Sequence, residues 1–316
     1  RFNLNGTFEY MPEFHEAEDF PRPCDNLHKF PLKKWKQFLF AGLNPKFDFQ
    51  QVIDKITERI GFLPLNEFKL DTTLSKDFLV HAHWALYCDN YLEGFHVPFV
   101  HDDLNKVLDY GNYKTEIYDY CNLQIGYTEE ATEVFDLPKN HIDYGKKVAA
   151  YYYWVFPNMM FNFYPWGLSV NIVKPLDINR TKVSFLSYVY DPSKLNKGAG
   201  SSLEKVERED EFVVENVQKG VRSSFYKAGR FSPTREQGVH HFHRLIADFL
   251  KLDLCNLELT TKKENISQKP VDVSKLRNER SPIIIEANSP ANNGSNFFDI
   301  FIYIFFLIKL YTHNGL

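Results

Sequence analysis

The sequence lacks the features that mark several common classes of protein. Its 37 Lys and Arg residues nearly balance 41 Asp and Glu residues, for a formal charge of -4. It has no block of like charge, and so no electrostatic footprint for a nucleic acid. Its four cysteines form no Cys-x2-Cys pair, which argues against a zinc ribbon and a small disulfide scaffold. We expect no nucleic acid partner and a reducing compartment.

The sequence also has neither a membrane-spanning run nor a secretory signal. Its apolar run from Ile300 to Ile308 has nine residues, whereas a helix needs about 20 to cross a bilayer. The chain opens at Arg1 without a basic and apolar leader. We therefore expect no membrane partner, and a cytoplasmic or organellar location rather than secretion. We also expect the true start of the protein to lie upstream of Arg1.

Aromatic residues, in contrast, are abundant. They make up 16% of the chain, with 29 Phe and 18 Tyr, while hydrophobic residues at 44% and charged residues at 25% are typical of globular proteins. This richness indicates a large apolar pocket or a sheet-rich core.

Periodicity and turn residues predict an α+β protein. Residues 1–44 are interpreted as small hairpins, and the helical spacing of apolar residues predicts a helix from Phe47 to Ile60. Long helices are predicted over residues 203–226 and 234–250. Strands followed by long helices, without regular alternation, favour an antiparallel sheet. The predicted strands are Leu79 to Leu86, Val148 to Phe156, Leu168 to Val173 and Lys182 to Tyr190.

Two histidines lie five residues apart in the segment from Asp89 to His101. In an unbroken helix, His96 and His101 would point about 140° apart and would not share a metal ion. Pro98 breaks a helix because it lacks an amide hydrogen and its ring clashes with the preceding turn. The chain can then fold back and aim both imidazoles at one point. The alternative is two ordinary histidines beside a helix end, and a metal site needs a third ligand.

The helix after the predicted capping box Ser201 to Glu204 offers that third ligand. Asp210 falls in the middle of its apolar stripe, with Glu209 and Glu211 to either side. A buried carboxylate is costly unless it is paired or coordinated, so we expect an Arg, a Tyr hydroxyl or a metal ion beside it. Two histidines and one carboxylate form the facial triad of non-haem Fe(II) oxygen chemistry. The stripe consists of Leu203, Val206, Val213, Val214, Val217 and Val221.

Two segments resemble a known family in the right order. The stretch from Asn90 to His101 resembles the mononuclear-iron motif of Rieske-type non-haem oxygenase α subunits, nearest to the choline and carnitine monooxygenase branch. Glu209-Asp210, followed by Glu215 and the segments 217–220 and 226–230, resembles the distal ligand region of the same family. The resemblance covers about residues 1–250. It implies a helix-grip (START-like) antiparallel sheet with long C-terminal helices, preceded by the C-terminal part of a Rieske β domain.

The resemblance implies a role for each matching residue. His96, His101 and Asp210 would bind mononuclear Fe(II), leaving positions for dioxygen beside the substrate. Glu93 matches the family's acidic bridge, which passes electrons from the cluster of a neighbouring subunit. Asn90 matches a position near the metal that orients its ligands. The implied partners are a small-molecule substrate, dioxygen, a reductase or ferredoxin as electron donor, and further copies of the chain in a homotrimer or its multiple.

The family's [2Fe-2S] cluster has no recognisable ligands in this sequence. A Rieske cluster needs two Cys and two His, but Cys24 and His28 have the wrong spacing and no second pair. Arg1 to Phe14 resembles the segment that directly follows the second cluster pair. We therefore expect an N-terminally truncated chain, with the cluster ligands in the full-length protein. We divide it into the end of the Rieske domain (1–45), the catalytic iron domain (46–255) and an atypical tail (256–316), which is either a real strand or a non-native end.

The predicted reaction is the insertion of an oxygen atom into a C–H bond of an organic substrate. Aromatic residues from Tyr151 to Trp166 offer ring faces that attract a quaternary ammonium group, such as that of choline or carnitine, although each ring is also a candidate core residue. Two alternatives stay open at this point: a metal-free, START-like protein that binds a small molecule, and an inactive gene fragment. The sequence alone does not identify the substrate or the electron donor.

Overall fold

A computed structural model describes residues 1–129, 133–264 and 299–303 of the chain. Its main feature is a seven-stranded antiparallel sheet with the strand order β3-β9-β8-β7-β6-β5-β4. A second, three-stranded sheet has the order β1-β2-β10, in which β10 runs parallel to β2. The strands are β1 (Leu32–Trp35), β2 (Phe38–Gly42), β3 (Lys69–Val80), β4 (Lys114–Ile117), β5 (Cys121–Tyr127), β6 (Val148–Val155), β7 (Met159–Tyr164), β8 (Gly167–Asp177), β9 (Arg180–Val189) and β10 (Asp299–Tyr303).

Both faces of the large sheet are covered, and β6 shows this most clearly. All eight of its residues are buried. Tyr151 and Tyr153 point into one hydrophobic core, while Tyr152 and Trp154 point into clusters on the opposite face. A strand that is buried on both faces is an unbroken apolar run rather than an alternating one. The aromatic stretch therefore divides between two sides of the sheet.

The first hairpin packs against one face of this sheet. Trp35 and Phe38 place their rings 5.9 and 5.1 Å from Phe161 and Tyr188, respectively. Helix α1 (Gln50–Ile60) adds its buried apolar face to the same core. The N-terminal segment thus forms one wall of the main hydrophobic core.

A buried ionic cluster joins α1 to the sheet. The guanidinium of Arg59 lies 2.5 Å from carboxylate oxygens of both Asp143 and Glu116. The Tyr151 hydroxyl donates to Asp143 at 3.1 Å, and Lys146 lies 2.9 Å from the same carboxylate. The Arg59 side chain is only 7% exposed, so this cluster is largely shielded from water.

The opposite face of the sheet carries the remaining helices. Two hydrogen bonds connect helix α5 (Leu203–Val221) to the segment at the start of helix α2 (Trp84–Glu93). Gln218 accepts from the His83 amide at 2.8 Å, and Glu215 accepts from the His81 amide at 2.9 Å. No helix among the described residues is both long and apolar enough to cross a membrane. The helices are α2 (Trp84–Glu93), α3 (Val97–Val100), α4 (Asp102–Val107), α5 (Leu203–Val221) and α6 (Gln237–Glu264).

The predicted α+β fold with an antiparallel sheet and C-terminal helices is confirmed. Three details were wrong. Leu79–Leu86 is not a strand, since β3 ends at Val80 and α2 begins at Trp84. The predicted capping box of Ser201 and Glu204 is absent: the N-cap of α5 is Ser202, it makes no side-chain cap, and Glu204 pairs with Lys76. Strands β4, β5 and β7 were missed.

The three-part division of the chain stays a prediction. Of the tail 256–316, the structure describes the end of α6 and strand β10, which pairs with β2. Residues 265–298 and 304–316 lie outside the described part of the chain.

Candidate metal centre

Two histidines flank the short helix α3 and face each other. Gly94 ends α2 with a left-handed φ of 69°, which favours glycine, and Pro98 lies in the first turn of α3. His96 precedes α3 and His101 follows it, so one helical turn separates them. Their Nε2 atoms are 3.1 Å apart. The two imidazoles come together as the sequence predicted, but Pro98 does not break a helix between them. It begins α3, and the chain leaves the helical conformation at Gly94 before this turn and at His101 after it.

Asp210 on α5 completes the group. Its Oδ1 lies 3.3 Å from His96 Nε2 and 3.1 Å from His101 Nε2. The ligand atoms of all three residues lie within 4.8 Å of one another. Asn90 donates to the same Oδ1 at 2.6 Å and so fixes the carboxylate from α2. The residues predicted as metal ligands therefore meet at one point, with Asn90 beside them.

Two further carboxylates hold the imidazoles from behind. Glu93 contacts His96 Nδ1 and also accepts from the His96 amide. Glu209 lies 2.7 Å from His101 Nδ1. Such carboxylate–histidine contacts orient metal-binding imidazoles and fix their tautomer. Sequence reasoning placed Glu209 on the helix flank without a role, so this contact was missed.

The arrangement requires positive charge at its centre. With both Nδ1 atoms donating to carboxylates, each neutral ring presents an Nε2 lone pair to the other, which is unfavourable unless a cation or a proton lies between them. Burial lowers the pKa of His96, but Asp210 and Glu93 outweigh it and raise that pKa to about 9. Burial raises the pKa of Asp210, but the two histidines lower it to about 2.

The residues present fit a divalent metal ion. Three donors, two neutral imidazoles and one carboxylate, converge from one side, and the outer carboxylates add the negative charge that a cation neutralises. Nitrogen and oxygen donors with open positions suit non-haem Fe(II).

A cavity of about 110 Å³ adjoins these ligands. Tyr91, Tyr113, Tyr152 and Tyr164 contribute aromatic walls, and Gln124, Asn162 and Asn171 contribute polar groups from the sheet. Tyr151 and Tyr153 lie in the core on the opposite face of the sheet. The cavity meets a larger open groove of about 1050 Å³ at two residues that line both, Phe185 and Leu203.

Helix α5 turns a more polar face inward than the valine stripe predicted. Val217 is 43% exposed, whereas Glu207 and Gln218 are 1% and 7% exposed. Glu207 accepts a hydrogen bond from the Tyr87 hydroxyl, and both residues line the cavity. Glu207 lies one turn before Asp210, so a helical projection centred on Asp210 would have identified it.

The histidines early in α6 lie apart from this centre. His241 Nε2 contacts the carbonyl of Asp119, and His243 lies 2.8 Å from Asp89. Both side chains thus have partners outside the metal centre.

Residues 65–252 match the sequence profile of the catalytic domain of the ring hydroxylating alpha subunit. A chloroplastic choline monooxygenase of Arabidopsis thaliana is 35% identical over 201 residues, which are 60% of this chain and 45% of that protein. A carnitine monooxygenase oxygenase subunit of Escherichia coli is 27% identical over 79% of this chain and 69% of its own length. The chain spans about half the length of the plant relatives, with 45% and 55% covered in two of them.

Solved structures share the fold. A quaternary ammonium Rieske monooxygenase, described for carnitine oxidation and inter-subunit electron transfer, superposes with a TM-score of 0.61 at 20% identity, covering 78% of this chain and 69% of that one. A naphthalene 1,2-dioxygenase variant gives a TM-score of 0.54 at 12% identity, covering 77% and 70%.

Proposed function

The chain belongs to the ring hydroxylating alpha subunit family, of which it contains the catalytic domain, and from this premise we propose that it is an Fe(II)-dependent oxygenase of a small quaternary ammonium compound. The main support for the proposal is that three possible ligands converge on one point: His96, His101 and Asp210. The Nε2 lone pairs of the two neutral histidines would face each other there.

These three residues would hold the iron. When bound, Fe(II) supplies the redox chemistry that activates dioxygen for insertion of one oxygen atom into a C–H bond. Asn90 keeps the Asp210 carboxylate turned toward the histidines, and Glu93 and Glu209 keep both rings oriented. The cavity walls would shield part of a bound substrate from bulk water.

Electrons would enter through Glu93. The Glu93 carboxylate contacts the ring of His96. The Glu93 side chain is 12% exposed, so part of it is accessible from the surface. We place the Rieske cluster in the full-length protein, delivering electrons to Glu93 from a neighbouring subunit of a trimer or its multiple. A reductase or ferredoxin would reduce that cluster.

The cavity favours a small, compact substrate. Its volume of about 110 Å³ is well below the roughly 300 Å³ at which pockets for drug-sized ligands begin. Its tyrosine rings offer faces that attract a quaternary ammonium group. Matched relatives are named choline and carnitine monooxygenases, which supports the same substrate class.

Iron binding by this chain tests the proposal directly. We expect about one Fe(II) per chain under anaerobic conditions, and loss of that iron in Asp210→Ala. Glu211→Ala is the matched control, because Glu211 is the next carboxylate on α5 and contacts Arg208 rather than the histidines. Equal iron content in both variants would contradict the metal site. Binding of a small ligand without any metal would instead favour a START-like binding protein.

A further inference from the structure

A second carboxylate lies inside the cavity and is only half satisfied. The Glu207 side chain is 1% exposed, and its Oε2 accepts from the Tyr87 hydroxyl. Its Oε1 is buried without a hydrogen-bond partner. Buried carboxylate oxygens are costly to leave unpaired, so an unpartnered one in a cavity wall indicates a missing ligand group.

Within the described residues, no Lys, Arg or His forms an ion pair with Glu207, so this part of the chain supplies no close counter-ion for the group. The neighbouring Arg208 is directed away, since its side chain is 64% exposed and pairs with Glu204 and Glu211. Burial raises the pKa of Glu207 well above its usual range, and the negative charge of Asp210 raises it further. A cation in the cavity would relieve both unfavourable effects.

The surroundings of Glu207 suit a cation that carries no N–H group. Tyr91, Tyr152 and Tyr164 line the same cavity as Glu207 and offer aromatic surface there, and the Tyr87 hydroxyl donates to the carboxylate. The positive charge of a quaternary ammonium is spread over its methyl groups, which contact ring faces and carboxylate oxygens alike. Aromatic walls with one buried carboxylate therefore match such a head group in both shape and charge.

We propose that Glu207 is the counter-ion that binds the quaternary ammonium head of the substrate and makes the site prefer a cation over a neutral molecule of the same shape. This inference rests on the substrate class proposed above, and it adds a specificity-determining residue that binds no metal. The carboxylate lies one helical turn before Asp210 on α5, so the same helix would orient the ligand for iron and the group that positions the substrate.

The test compares two molecules that differ only in charge. Choline and the isosteric alcohol in which a carbon atom replaces the nitrogen are titrated into the protein by calorimetry. Wild type is expected to bind choline more tightly than the neutral alcohol. In Glu207→Gln, which keeps an oxygen to accept from Tyr87, choline binding is expected to weaken about tenfold, or about 1.4 kcal/mol. Binding of the neutral alcohol should be unchanged or stronger.

Glu211→Gln is the control, because it makes the same charge change on the same helix outside the cavity lining. It should keep the preference for choline. Unchanged choline affinity in Glu207→Gln, in a protein that melts like wild type and retains iron, would overturn the role of Glu207 and leave the proposed function intact. If wild type binds choline, carnitine and the neutral alcohol equally poorly, the proposed substrate class itself fails.

Discussion

Replacing Glu209 with alanine is expected to weaken metal binding about tenfold. The Glu209 carboxylate lies 2.7 Å from Nδ1 of His101, and this contact fixes the ring so that Nε2 points at Asp210. Loss of such an outer partner typically lowers metal affinity by roughly 10–100-fold, which is about 1.4–2.7 kcal/mol. The Glu209 side chain is 27% exposed, so water can replace part of the contact. The structure therefore places the effect near the lower end of that range.

The helical pattern alone places Glu209 beside Asp210 without a contact to the histidines, and so predicts that Glu209→Ala retains iron like wild type. Anaerobic titration of wild type, Glu209→Ala and Glu209→Gln with Fe(II) or Co(II) distinguishes these two expectations. The glutamine variant keeps a neutral acceptor for His101 and should lie between the other two. Glu211→Ala should match wild type. Affinity of Glu209→Ala equal to that of Glu211→Ala would refute the orienting role of this contact.

Three other outcomes follow from contacts elsewhere in the fold. Arg59→Met should lower the free energy of unfolding by about 1.5–3 kcal/mol in denaturant titrations, because Asp143 and Glu116 lose their shared buried cation and keep only the more exposed Lys146 and Lys114. Burial raises the pKa of Asp143, but Lys146 and Arg59 outweigh it and lower that pKa below its ordinary value of 3.8. The ionised Asp143 carboxylate therefore contributes its full stabilisation above about pH 4, and this stabilisation is lost as the pH falls further. Melting curves of Asp143→Asn, recorded as a function of pH, should lack this loss of stability at acid pH. Gly94→Ala should destabilise the protein by about 1–2 kcal/mol in thermal melts, because its φ of 69° suits glycine and an added Cβ would lie 3.1 Å from the Tyr113 ring.

The meeting of the three proposed ligands could be predicted because each leaves a local sequence signal. Pro98 between His96 and His101 was the sequence signal, but in the structure it begins α3 rather than breaking a helix. The Nε2 atoms are 3.1 Å apart because His96 and His101 flank this single turn and His101 has a non-helical backbone. Asp210 was found from its place among valines on a helix. The premise of that reasoning was only partly correct, because the buried face of α5 includes Glu207 and Gln218 as well as valines.

The outer contacts and several strands left no such signal. Glu209 reaches His101 only because α5 packs against α2, the helix that precedes both histidines, and the sequence does not encode that distance as a pattern. Strand β7 is buried on both faces, so it lacks the alternation by which half-buried strands are recognised. The division of tyrosines between cavity and core, in contrast, follows directly from the two-residue period of β6 once the sheet is known.

The three proposed ligands lie far apart along the chain, so a bound metal would act as a crosslink. His101 and Asp210 are 109 residues apart in sequence, and helix α3, which carries two ligands at its ends, is only four residues long. A cation held by all three residues closes a long loop and stabilises the folded state by mass action. Removal of the metal should therefore show first as faster amide exchange and proteolysis around residues 94–107, while the sheet stays protected. In this way the stability of one wall of the cavity would depend on the supply of free metal ion.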